Sequence, residues 1–162
     1  MPFTPYHFGP GIFAKSLSPR RFSLTAHVAT QVAIDCETLY HILSHTKPDH
    51  RFFHTMVGAS LVGISVAVGL AILALFVKPI PPWLEDDLSW KALWIGGWYG
   101  GLSHAILDSM YHHDAMPFWP WSTTNPLLSP RYVAPEICVL TGFLGLAIGW
   151  WRIARARRSK AA

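Results

Sequence analysis

Charge is what this chain most lacks. Only 14% of its 162 residues are Asp, Glu, Lys or Arg, against about 25% in an ordinary soluble domain. That scarcity argues against a surface built wholly for water. Cysteine is nearly absent as well. Cys36 and Cys138 lie within apolar segments and form no paired motif, so they say little about redox compartment. No continuous apolar stretch precedes a small-residue cleavage site near the N-terminus, so no cleavable signal peptide is expected. Internal repeats and low-complexity tracts are missing too. Nucleic acid is not expected as a partner, because the basic run from Arg152 to Lys160 directly follows an apolar helix and has no folded partner element.

What the chain does have is apolar length. Hydrophobic residues make up 51% of it, and Thr55 to Val77 contains no charged side chain. A bilayer core of about 30 Å needs roughly 20 apolar helical residues, and this run supplies them. Spans are predicted over Phe22 to Ser44, Phe52 to Val77, Trp90 to Tyr111 and Pro135 to Trp151. Lys78-Pro79 ends the second, and a proline-rich loop from His112 to Pro135 separates the last two. Met1 to Arg21 holds Pro2, Pro5, Pro10 and Pro19 with Gly9 and Gly11, which predicts a loop with at most two short helical turns. The expected fold is therefore an all-α polytopic membrane protein, a bundle of about four transmembrane helices with a Pro/Gly-rich N-terminal segment. Residues 1–152 form one membrane-embedded domain and 153–162 a basic tail.

With four spans, ten of the thirteen Lys and Arg residues fall on the side of the two termini. Lys47, Arg51 and Arg131 are left opposite. The positive-inside rule then predicts a multi-pass membrane protein with both termini cytoplasmic and membrane lipids as partners. Trp94, Trp98, Trp119, Trp121 and Tyr132 read as an interfacial belt and packing, and Gly96, Gly97, Gly100 and Gly101 as sites of close helix approach.

Polar groups within those spans agree in depth. At 1.5 Å per residue, Asp35 lies about 18 Å into the first span and His104 about 20 Å into the third. Asp108 lies one turn further, and the second span starts from that same face with His50 and His54. His50/His54 and His104/Asp108 are each i, i+4 pairs, which share a helix face, and His112 would extend the second stripe. Imidazole and carboxylate are zinc's usual non-thiolate ligands. A divalent metal ion, zinc by preference, is the expected cofactor, activating a water, with Glu37 taking or returning the proton. Arg51, adjacent to the pair, could clamp a phosphate or carboxylate, or equally snorkel to headgroups. An i, i+4 histidine pair alone is weak, and His27, His41 and His45 are expected to face water or the interface. The convergence of three helices is the stronger signal.

On Pro5-Tyr6-His7, Ile34-Asp35-Cys36-Glu37, His50-Arg51-Phe52-Phe53-His54-Thr55 and Gly101-Leu102-Ser103-His104-Ala105-Ile106-Leu107-Asp108, the chain resembles the predicted membrane-bound metal-dependent hydrolases of bacterial inner membranes, an uncharacterised family. The likeness covers most of the chain, and the third and fourth motifs together are fairly specific. It implies that His7, Asp35, Glu37, His50, His54, His104 and Asp108 line a site. Relatives often carry two aspartates where Asp35 and Glu37 stand, and a glycine after the His-Arg. A looser analogy is to zinc-dependent phospholipases C. The expected function is hydrolysis of an ester or phosphoester, with a lipid as one substrate class. The alternatives are a metal-ion or proton-coupled transporter, for which a homo-oligomer could supply missing helices, and a haem-binding or non-catalytic membrane subunit.

Overall fold

The computed structural model describes residues 5–77, 79–129 and 133–161, with residues 160 and 161 described without their side chains. Lys78, Pro130, Arg131 and Tyr132 therefore lie outside the described residues, and with them parts of the expected loop charge and aromatic belt. Every regular element among the described residues is helical. A 3-10 turn, Pro5–His7, leads into α1 (Phe8–Leu17). α2 (Leu24–Leu43) follows, then a second 3-10 turn, Phe52–His54, and α3 (Met56–Phe76). The short α4 (Pro82–Glu85) precedes α5 (Trp90–Tyr111), and α6 (Val133–Ala161) closes the chain.

One expectation changes here. The N-terminal segment is not a loop, since α1 runs for ten residues. Pro10 sits in its first turn, where no backbone N–H is needed by the ladder. The neighbouring glycines serve contact: a Cβ on Gly9 would lie 1.9 Å from the Cys138 carbonyl oxygen, and one on Gly11 2.2 Å from the His27 ring. The expected spans are met in part. Among the described residues, α3 and α6 are the helices long and apolar enough to cross a membrane, with mean hydropathy 2.5 and 1.7 over their most apolar stretches. α2 and α5 are also long enough, but their inward polar residues lower their hydropathy. α6 also continues without a break from the apolar segment through the arginines of the basic tail.

Helix α2 is started by two caps at once. Ser23 Oγ accepts from Ala26 N at 3.0 Å. The Asp87 carboxylate accepts from Leu24 N (2.9 Å), Thr25 N (3.1 Å) and Lys15 Nζ (2.6 Å). An anion there complements the positive end of the helix. Thr55 Oγ1 caps α3 by accepting from Gly58 N at 2.9 Å.

Packing forms two groups. α5 lies against α3 and α2, while α1 lies along α6. The α3–α5 crossing is very close: Cβ atoms added at Gly63 and Gly97 would each sit 2.2 to 2.3 Å from the other's carbonyl oxygen. Small residues let the two backbones touch. The outer surfaces of α3 and α6 carry exposed Leu61, Ile72, Leu75, Phe76, Phe143 and Leu146. Their opposite is the interior, where His27, Thr30, Gln31, His54 and His104 are buried almost completely. His27 and His41 are therefore buried, contrary to the expectation that they face water, because the bundle turns its polar residues inward; His45 is exposed.

Candidate metal centre

Helical periodicity sets the first half of the site. On α2, Gln31, Asp35 and Thr38 are spaced i, i+4, i+7 and all are buried. On α5, His104 and Asp108 are spaced i, i+4 and are likewise buried. The α2–α5 packing turns these two stripes toward each other.

The second half comes from non-helical chain. His50 and His54 do meet, with ring centroids 4.8 Å apart, but not as an i, i+4 pair on one helix. Arg51 has φ −117° and ψ −135°, and Phe52–His54 form a 3-10 turn ahead of α3. That turn is held by Glu37, whose Oε2 accepts from Phe53 N at 2.9 Å. The loop before it is held by Asp114, which accepts from Asp49 N and His50 N.

Four imidazoles converge on the Asp108 carboxylate. Oδ2 lies 3.2 Å from His104 Nε2, 3.3 Å from His54 Nε2 and 3.9 Å from His50 Nε2. Oδ1 lies 3.3 Å from His7 Nε2. Asp35 Oδ1 adds a further carboxylate, 3.4 Å from His104 Nε2. Donor atoms of Asp35, His54, His104 and Asp108 all lie within 4.8 Å of one another, so this buried group could hold a metal ion.

The orientation of three of these rings decides what the cluster is suited for. Each presents Nδ1 to an acceptor: His54 to Glu37 Oε2 (3.3 Å), His104 to Gln31 Oε1 (2.5 Å) and His50 to Asp114 Oδ1 (2.9 Å). Gln31's orientation is fixed because its Nε2 donates to the Gly100 carbonyl. An acceptor at Nδ1 draws the ring proton there and leaves the Nε2 lone pair facing inward. Lone pairs and carboxylate oxygens then face each other, an arrangement that needs a cation or a proton between them. His104 Nε2 is buried and makes no hydrogen bond despite its short distance to Asp108. The donor set therefore fits a divalent metal ion.

Charge at the rim agrees. Burial holds His7 at about 4, against the opposing pull of Asp108. Burial also lowers His50, and lowers His112 to about 4. These rings are neutral at pH 7 and keep a lone pair. For His54, burial also works against the charge, but hydrogen bonds to Asp108 and Glu37 outweigh it and raise the ring to about 9. A proton and a metal ion compete for the same Nε2 lone pair.

The remaining expected site residues lie at the margins. His7 touches Asp108 through Oδ1 and is not among the four close donors. Glu37 stands behind His54, away from Asp108, where it orients the ring. Arg51 donates from Nε to the Pro48 carbonyl (3.1 Å) and from Nη2 to the Lys47 carbonyl (3.0 Å), which stiffens its own loop. The sequence reading did not assign roles to Gln31, Thr38 or Asp114. Thr38 Oγ1 lies 3.2 Å from His54 Nε2. Gln31 carried one available signal, its place one turn before Asp35 on the same stripe.

No family model, curated protein or solved structure matches the chain.

Proposed function

We propose that the protein is a membrane-bound metal-dependent hydrolase, with zinc the preferred ion, acting on an ester or phosphoester. The observation that carries this reading is the set of Nδ1-anchored imidazoles whose Nε2 atoms point at one carboxylate. All four motifs behind the family resemblance contribute to it, through His7, Asp35 with Glu37, His50 with His54, and His104 with Asp108. A divalent ion held by Asp35, His54, His104 and Asp108 would supply Lewis acidity, lowering the pKa of a coordinated water and polarising a substrate oxygen. The chain's own residues then do the positioning. Glu37 and Gln31 fix the two imidazoles, and His7 holds the outer oxygen of Asp108. Thr38 Oγ1 offers a hydroxyl at the cluster to orient a water.

Lipid is the favoured substrate source, and the bundle is read as four spans, α2 and α5 burying their polar residues against each other. A pocket of about 70 Å³ reaches Asp108, His7 and His112 between the first 3-10 turn, α5 and α6. Tyr6 and Cys138 are common to this pocket and to an apolar groove along α1 and α6, lined by Ile12, Phe143 and Leu146. Such a groove suits an acyl chain whose ester lies at the cluster. The Lys and Arg distribution supports placing both termini in the cytoplasm, and the family resemblance supports the inner membrane.

The test is metal analysis of the full chain purified in detergent. It should retain zinc-class ions, and His54→Ala and Asp108→Ala should lose them. Unchanged metal in both variants overturns the reading. Ion flux into proteoliposomes without hydrolysis of ester or phosphoester lipids would favour a transporter instead.

A further inference from the structure

Asp108 belongs to two donor groups. Besides the four-residue cluster, donor atoms of His50, Asp108 and His112 also lie within 4.8 Å of one another. We infer that these three residues hold a second metal ion, that Asp108 bridges the pair, and that the resulting dinuclear centre takes a phosphoester. The inference rests on the metal reading of the four-residue cluster and goes beyond it.

Several independent contacts build the second position. Asp114 Oδ1 engages His50 Nδ1 at 2.9 Å and leaves Nε2 directed at Asp108. A carboxylate behind a ligating imidazole is the usual second-shell arrangement of metal sites. The same Asp114 accepts from the backbone of Asp49 and His50, so the ring is fixed from both sides. His112 is placed by the end of α5: its N–H donates to the Asp108 carbonyl at 2.7 Å, and Asn125 Nδ2 donates to its carbonyl at 3.0 Å. Its ring lies on His50, with centroids 3.9 Å apart and planes 30° from parallel.

The two positions differ in ligand number. Four protein donors surround the first, so a water there needs a fifth position, whereas the second has three, the count that leaves a coordination position open. The open position also faces outward. His50 and His112 line a polar pocket of about 550 Å³ together with Thr38, Lys47, His113 and Asp114. His112 also lines the small apolar pocket that reaches Asp108. A phosphoester seated there would have its charged group at two cations and one substituent toward each pocket. Paired ions a few ångströms apart are the recurrent solution for phosphoester hydrolysis, because both reacting oxygens need charge stabilisation.

Zinc content after equilibrium dialysis of the detergent-purified chain tests the assignment. Wild type should hold two ions per chain and His112→Ala one. One ion in wild type overturns the second position but leaves the four-donor cluster standing; no ion in wild type overturns both. Two ions in His112→Ala overturns the ligand assignment. Should that variant misfold, the electron paramagnetic resonance spectrum of manganese-loaded wild type decides. An exchange-coupled spectrum supports the bridge, and an isolated-ion spectrum removes it. Inorganic phosphate titrated into the zinc-loaded protein probes substrate class. It should bind wild type about tenfold more tightly than His112→Ala, and equal binding by both overturns the phosphoester assignment. Turnover of a short-chain phosphodiester and of a phospholipid in mixed micelles then separates a soluble from a lipid source.

Discussion

At Glu37, two hydrogen bonds define a role that residue type alone does not. Its carboxylate accepts from Phe53 N and lies 3.3 Å from His54 Nδ1, so removing it frees both the 3-10 turn and the ring. Glu37→Ala should weaken zinc binding about 10- to 100-fold, and Glu37→Gln, which keeps an acceptor, should weaken it much less. Competition with a chromophoric chelator would measure both. Asp87 offers a second prediction, away from the site. Burial alone would raise its pKa, but Lys15 and the α2 backbone N–H groups hold it below its ordinary 3.8. A carboxylate with a depressed folded-state pKa stabilises above its unfolded value, and that contribution is lost as pH falls through the folded one. Asp87→Asn should therefore cost about 1–2 kcal/mol at neutral pH and show less acid-dependent loss of melting temperature than wild type. At this scale the inward His and Asp side chains were visible in the sequence, because such residues are conspicuous in apolar segments. It did not disclose their supports. Gln31 lies 73 residues from His104, and Asp114 lies 64 from His50. No local pattern links residues so far apart.

The helices were legible in proportion to their apolar length. The bounds of the α3 and α5 helices lie close to those expected, since long periodic patterns leave few alternatives. α1 was hidden by proline and glycine, which local rules count as breakers although here they start a helix and allow contact. His50 and His54 were picked out by helical spacing, yet a loop and a 3-10 turn bring them together. The structure thus brings the two rings together by a route that helical spacing does not describe. The α3–α5 crossing gives the element-scale prediction. Gly97→Val would force the two backbones apart, costing about 1–3 kcal/mol or more and separating His54 from His104. Both the melting temperature and the zinc content should fall. Gly69→Ala is the control: nothing lies within 4 Å of the added carbon, so it should change stability by less than about 0.5 kcal/mol.

Across the whole molecule, polar side chains are gathered at a centre and apolar ones face outward on α3 and α6. Exposed apolar surface of this extent requires lipid, detergent or a partner. The chain should therefore enter the detergent phase in a temperature-induced Triton X-114 separation, and recovery from the aqueous phase would contradict the membrane reading. The centre also ties α2, α5 and the turn before α3 together. Chelation should accordingly lower the melting temperature, with recovery on adding zinc, as ligand binding to the folded state demands.

Gly11 links the periphery to this centre. The ring of His27 occupies the space that any larger residue at position 11 would need. That ring's Nε2 donates to the carbonyl of His7 at 3.0 Å, and the His7 side chain reaches Asp108. A single methyl group added on α1 would thus be passed along as a displacement of one imidazole, then of the N-terminal turn, and finally of the Asp108 carboxylate.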